Sequence, residues 1–270
     1  MDDPSCSRGP IRGAAALCRF FLACALLAVA GGERVSARTL EEIRADGNRV
    51  HLATEGKFPP FNIFKGAQLT GFEVELANLI VARMGMQAEW KAIDFNGLLT
   101  GLQQDRWDIV VASHGITPER ARAVTFGDPH YCSGGVIVAT NPAIQTAKDL
   151  AGKTIAVQTG TTYFGHVKLI PGVKDIRNFP QDTDARSALL TGRVDAWVTD
   201  RFTALDLFKR IPSSDLHMGE FLFIDHLAAA FAKGNTGLAE AWNKGLAETM
   251  KDGSYAELSR RYFGEDVRCK

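Results

Sequence analysis

The strongest constraint on this chain is an alternation of strand-like and helix-like segments that runs twice. Beyond Ala37, Val50-His-Leu-Ala-Thr54 reads as a strand, and Phe72, Leu76, Leu79 and Ile80 fall at i, i+4, i+7 and i+8, one face of a helix that Gly85 stops. Strand-like segments follow at Ala88–Ile93 and Asp108–Ala112, with a helix at Gly97–Gln104 between them. Cys132–Thr140, carrying the double glycine Gly134-Gly135, joins this block to a second. There Thr154–Gln158, Asp175–Asn178 and Val194–Thr199 read as strands, and Thr162–Leu169, Asp184–Thr191 and Phe202–Arg210 as helices. Two such blocks predict two α/β lobes with largely parallel sheets, hinged near the glycines. The chain closes with an apolar strand-like run, Phe221–Ala232, and helices at Leu238–Met250 and Ser254–Phe263.

In open α/β sheets, ligands sit beyond the carboxyl ends of the strands, so the residues that follow each strand are the functional candidates. They are Glu55, Phe58 and Phe61 after the first strand, and Ser113, Gly115 and Arg120 after Asp108–Ala112. Thr161 and Thr162 follow Thr154–Gln158, and Asp200 follows Val194–Thr199. Together they offer a cation, an anion, aromatic faces and a helix start, which suits a zwitterion. Thr117 is a good N-cap and Pro118 suits the first helical position. Arg120 then faces the positive end of the helix dipole, at a cost of roughly 0.3–1 kcal/mol, which marks it as a carboxylate ligand rather than a solvated surface arginine.

Asp200 has two readings, an ammonium ligand or the N-cap of the helix that Phe202 begins. Gly160-Thr161-Thr162 can cradle an anion or simply cap. Phe58, held by two prolines, and Phe95 are candidate apolar walls, whereas Phe61 reads as core. Free Glu55 is a candidate for reading a polar or cationic side chain.

The N-terminus differs from the rest. Arg8, Arg12 and Arg19 precede the apolar run Phe20–Ala30, which has the length of a signal-peptide core and is too short to span a bilayer. Cleavage is expected after residue 30, or as late as 37, with export to the periplasm and no lipid anchor. It leaves only Cys132 and Cys269, expected to pair in an oxidising compartment rather than stay free. The 270 residues are 46% hydrophobic and carry 31 basic and 31 acidic side chains, so nothing calls for nucleic acid or an anionic membrane as partner. The histidines show no metal spacing, and no nucleophile elbow or phosphate loop appears, so no cofactor and no catalysis are expected.

In order and spacing, Phe58-Pro-Pro-Phe61, Gly71-Phe72-Glu-Val-Glu75, Ile116-Thr-Pro-Glu-Arg120, Gly160-Thr-Thr162, Gly192-Arg-Val-Asp195 with Asp200, and Asp252-Gly253 resemble the family 3 periplasmic solute-binding proteins of polar amino acid ABC importers. The likeness spans about Thr39 to Phe263. It implies a type II periplasmic-binding-protein fold whose two hinge crossovers lie near Cys132–Gly135 and Ile224–Leu227. Lobe 1 is then 38–132 plus 228–270, and lobe 2 is 133–227. It further implies a monomer that delivers an amino acid or related solute to an ABC permease of the inner membrane. In this resemblance Arg120 binds the α-carboxylate and Asp200 the α-ammonium. Phe58 and Phe95 are the walls, Thr161, Thr162 and Ser113 donate to the ligand, and Glu55 reads its side chain. One departure stands out. Many members carry Ser or Thr where this chain has Gly115, so a hydroxyl donor is missing. The alternatives are a ligand-sensing domain for a separate receptor, or a cyclohexadienyl dehydratase-like enzyme. The latter places a catalytic acid where this chain has Phe164.

Overall fold

The computed structural model describes residues 37–212 and 215–269, so the signal-peptide expectation lies outside the described residues. In chain order the first part contains α1 (Leu40–Ala45), β1 (Arg49–Thr54), β2 (Lys57–Phe58), β3 (Asn62–Lys65), β4 (Gln68–Thr70), α2 (Phe72–Arg83) and β5 (Gln87–Ala92). It continues through α3 (Leu98–Gln103), β6 (Ile109–Val110), α4 (Pro118–Ala123) and β7 (Val124–Phe126). The middle part contains β8 (Tyr131–Ala139), β9 (Thr154–Gln158), α5 (Thr162–Lys168), β10 (Asp175–Phe179), α6 (Asp182–Leu190), β11 (Ala196–Asp200), α7 (Arg201–Arg210) and β12 (His217–Leu227). Finally β13 (Ala230–Ala232), α8 (Thr236–Lys251) and α9 (Ser254–Phe263) complete the chain.

These elements form two lobes around two five-stranded sheets, ordered β5-β1-β6-β13-β7 and β10-β9-β11-β8-β12. In each, three strands run parallel and the next is antiparallel to them: β13 against β6, and β8 against β11. The expectation of largely parallel sheets is therefore corrected to mixed sheets. The apolar run Phe221–Ala232 is not one strand either. β12 ends at Leu227 in the second sheet, and β13 starts at Ala230 in the first. Both sheets are covered on both faces. Ile80, Trp242 and Tyr255 anchor one side of the first sheet and Leu98 and Trp107 the other, whereas Trp197 and Ile155 lie in separate clusters about the second.

The chain passes between the lobes through β8 and β12, which pair antiparallel with Asp225 opposite Ser133 and Leu227 opposite Tyr131. Gly134 and Gly135 lie inside β8, and their task there is close packing. A Cβ at Gly134 would stand 2.0 Å from the Phe223 carbonyl oxygen, and one at Gly135 would stand 2.5 Å from the Phe223 ring. Cys132, on β8, is disulfide-bonded to Cys269 with their Cα atoms 4.8 Å apart, tying the tail after α9 to this crossover. No helix among the described residues is long and apolar enough to cross a membrane.

A small sheet, β2-β3-β4, was not legible beforehand. It is held onto α2 by Gly71, whose φ of 124° and closeness to the Phe61 carbonyl oxygen (2.3 Å from a built Cβ) admit no side chain.

Candidate functional site

The carboxyl ends of β1, β6 and β9 converge on one narrow cavity. Glu55, Phe58, Phe95, Ser113 and Arg120 line it from the first lobe, and Gln158, Thr161, Thr162 and Tyr163 from the second. The space they line is about 280 Å³, part of it open to solvent. The lobes are drawn together. Gln158 Nε2 donates to Glu55 Oε1 at 2.7 Å, and Arg120 Nη2 donates to the Gly160 carbonyl at 2.9 Å, each bond bridging the lobes.

Arg120 sits in α4, where Thr117 caps the helix by accepting the Arg120 N–H at 3.1 Å. The helix has six residues, so Arg120 lies as near its last turn as its first. The dipole misfit read from the sequence therefore loses its force. What sets Arg120 is its surroundings. Nη1 donates to the Gly115 carbonyl at 2.8 Å, and the guanidinium carbon lies 5.9 Å from the Phe95 ring centroid. Phe95 in turn stacks on His114 at 4.3 Å. Burial, then the charge of Arg120, holds the His114 imidazole well below its usual pKa, so it stays neutral.

Glu55 is 3% exposed and its pKa is pushed up to about 8, first by burial and then by Asp182. Asp182 starts α6, accepts from Trp197 Nε1 at 2.9 Å and Thr199 Oγ1 at 3.0 Å, and is itself raised to about 7 by burial. The cavity therefore has an acidic side that neither charge counting nor motif spacing had revealed beyond Glu55.

Phe58 is a buried wall of the cavity and stacks on core Phe61 at 5.5 Å. Three expected ligand donors are differently employed. Ser113, at φ 54°, gives both its N–H and its hydroxyl to Glu73, at 2.8 and 2.9 Å. Thr161 donates its hydroxyl to the Gln158 carbonyl at 2.7 Å, and Thr162 donates to Asp225 at 2.6 Å. Two further candidates do not line the cavity. Asp200 accepts the Phe202 N–H at 2.7 Å and caps α7, the plainer of its two readings; burial raises its pKa to about 7. Gly115 is buried behind Arg120, where an added Cβ would meet Asp225 Oδ2 at 2.7 Å.

Gln158, Tyr163, Asp182, Asp225 and Glu73 were missed. Gln158 is the last residue of β9, directly before the strand-end loop, so its position was the available signal. A lone acid within the apolar run Phe221–Ala232 was the signal for Asp225. Glu73 binds Ser113, His130 Nε2 (3.0 Å) and Asn62 Nδ2 (3.3 Å), a buried network visible only in three dimensions.

Residues 50–265 match the bacterial extracellular solute-binding proteins, family 3. The chain is 36% identical over 222 residues to the L-cystine-binding protein TcyJ of Escherichia coli (strain K12), covering 80% of this chain and 83% of that one. Among solved structures it is similar to an ancestral arginine-binding protein bound to arginine, with a TM-score of 0.77, 35% identity, and 80% and 99% coverage of the two chains. It is also similar to an ancestral amino acid-binding protein described as a precursor of cyclohexadienyl dehydratase, with a TM-score of 0.76, 29% identity, and 83% and 98% coverage. The two mixed sheets joined by paired crossover strands are the type II periplasmic-binding-protein fold. The chain belongs to the family 3 bacterial extracellular solute-binding proteins.

Proposed function

We propose that the cleft captures an amino acid or amino-acid-like solute, polar or cationic in its side chain, and hands it to an ABC permease in the inner membrane. The observation that carries this reading is the pairing, in one narrow cavity, of the Arg120 guanidinium with the buried Glu55 carboxyl, with Phe58 and Phe95 beside them. Arg120 takes the α-carboxylate and Glu55, backed by Asp182, takes a donor-bearing side chain. Asp200 caps α7 outside the cavity lining and is assigned no ligand contact in this reading. Thr161, Thr162 and Ser113 shape the cavity more than they donate into it, and Gly115 acts from behind Arg120.

The lobes, 38–132 with 228–270 and 133–227, close about the β8 and β12 crossovers. The protein acts as a periplasmic monomer after loss of its leader. The relatives support this reading, since those described above are named for binding cystine, arginine or amino acids. Dehydration is not part of it, because the position that would carry the acid holds Phe164, packed against the second-lobe core.

Isothermal titration with arginine, histidine, cystine and glutamine tests the proposal, alongside Arg120→Ala. Charge-assisted hydrogen bonds contribute about 1.5–3 kcal/mol each, so losing a bidentate pair weakens binding by at least a hundredfold. An Arg120→Ala protein that binds like the parent removes Arg120 from the site, and turnover of prephenate or arogenate by the parent overturns the non-catalytic reading.

A further inference from the structure

Asp225 fills the space beside Gly115. It lies on β12, half-buried, where the second crossover leaves the second lobe. Its Oδ2 accepts the Thr162 hydroxyl at 2.6 Å, and the same oxygen occupies the space in which a side chain at position 115 would project, 2.7 Å from a built Cβ. The Gly115 carbonyl on the other side accepts Arg120 Nη1 at 2.8 Å. The backbone fixes this arrangement. Ile116 N–H donates to the His226 carbonyl at 2.9 Å and Ala228 N–H to the His114 carbonyl at 3.1 Å, so the Gly115 loop and the Asp225 strand are stitched together. Glycine at 115 leaves room beside Arg120, and the Asp225 carboxylate fills it.

This arrangement reverses the local chemistry. Ser or Thr at 115 would add a donor for an anion. Asp225 instead adds an acceptor and a negative charge, and occupies the Thr162 hydroxyl as a ligand carboxylate would. Its charge also acts on Arg120, being the strongest influence that opposes the loss from burial there.

We propose that Asp225 is a specificity-determining residue: by occupying Thr162 and counterbalancing Arg120, it makes the head-group end of the cleft tolerant of ligands whose carboxylate is masked or missing, such as amino-acid amides and the corresponding amines. This inference rests on the reading of the cleft as an amino-acid site. A clamp whose positive charge is free penalises the loss of the ligand's carboxylate heavily. One whose charge a nearby internal carboxylate already offsets in part loses less.

The test compares L-arginine, L-argininamide and agmatine by isothermal titration with the parent protein, Asp225→Asn and Asp225→Ser. The Asn variant keeps the shape and removes the charge. The Ser variant empties the space beside Gly115, and either one suffices if the other does not fold. In the parent, arginine is expected to lead the amide and the amine by a smaller margin than in either variant. In the variants, the preference for arginine over both is expected to rise at least tenfold, chiefly through tighter arginine binding. An unchanged preference overturns the role of Asp225. So does a parent that already rejects both masked ligands as strongly as the variants. If none of the three binds any form while glutamine or cystine does, the cationic leaning fails and argininamide is replaced by the amide of the bound amino acid, with the same criterion. If no amino acid binds any form, the reading of the cleft falls, and this inference with it.

Discussion

Glu55 makes the charge of the cleft depend on closure. Its neighbours across the cavity, Gln158 and Asp182, belong to the second lobe, so opening returns the carboxyl to water and to its ordinary pKa of 4.5, against about 8 in the closed form. The closed form binds the Glu55 proton more tightly. Closure is therefore favoured below about pH 4.5 and loses that support as pH rises towards 8. At pH 7 the difference is roughly 300-fold, or about 3 kcal/mol at 1.36 kcal/mol per pKa unit. Glu55→Gln keeps the shape and the hydrogen bond with Gln158 but removes the titration. Asp182, Lys57 and Asp94, which also act on Glu55, are the same in both proteins.

For a neutral ligand such as glutamine, closure on the ligand carries the full penalty of ionised Glu55. Titration calorimetry is therefore expected to find binding to Glu55→Gln about 300-fold tighter than to the parent at pH 7, from the linkage above, with the two converging near pH 4.5. In the parent, glutamine affinity should fall by about five- to ninefold per unit between pH 5 and 8, with uptake of almost one proton per binding event at pH 7. A ratio of the two affinities that stays constant from pH 5 to 9 would refute the reasoning, because a purely steric effect at position 55 has no reason to follow pH.

Arginine should behave differently: its guanidinium keeps Glu55 ionised, so its affinity stays nearly flat over the same range and calorimetry in buffers of different ionisation enthalpy shows little proton uptake. Reducing the Cys132–Cys269 bridge, which closes a sequence separation of 137 residues, should lower stability by about 2–4 kcal/mol, read as a fall of roughly 5–15 °C in Tm. Gly71→Ala should cost more than about 2 kcal/mol in chemical denaturation, from its left-handed backbone and its clash with the Phe61 carbonyl. A loss under 0.5 kcal/mol would show that the β2-β3-β4 sheet shifts freely on α2.

The parts of the fold that read clearly are those in which one buried face repeats. Thr154–Gln158 is a strand over its whole expected length, and Ser254–Phe263 a helix bounded by Gly253 and Gly264, both left-handed. The β2-β3-β4 sheet escaped because its strands are two to four residues long and half-exposed, with no alternation to detect. The site divides in the same way. Glu55, Phe58 and Arg120 were legible because position at a strand end is local information. Ser113, Thr161 and Thr162 line the cavity, but the partners of their hydroxyls, Glu73, Gln158 and Asp225, are chosen by tertiary packing and were not legible. Gly134-Gly135 illustrates the limit. Glycine in sequence permits both freedom and close approach, and only the Phe223 contacts decide between them.

The contacts that hold the lobes together are polar and of modest size. Besides Gln158 to Glu55 and Arg120 to Gly160, Thr203 donates to the Pro59 carbonyl at 2.8 Å and Gln181 to Asp94 at 3.4 Å. Each such bond contributes about 0.5–1.5 kcal/mol net. Together they are of the same order as the roughly 3 kcal/mol that burying an ionised Glu55 costs at pH 7. Neither side dominates, so the charge of whatever enters decides. A cation that pairs with Glu55 cancels the cost and leaves the inter-lobe bonds unopposed, whereas closure on a neutral solute requires Glu55 to take up a proton from solution. At the other end, Asp225 already answers Arg120. On the proposed reading, discrimination by side-chain charge therefore falls to Glu55.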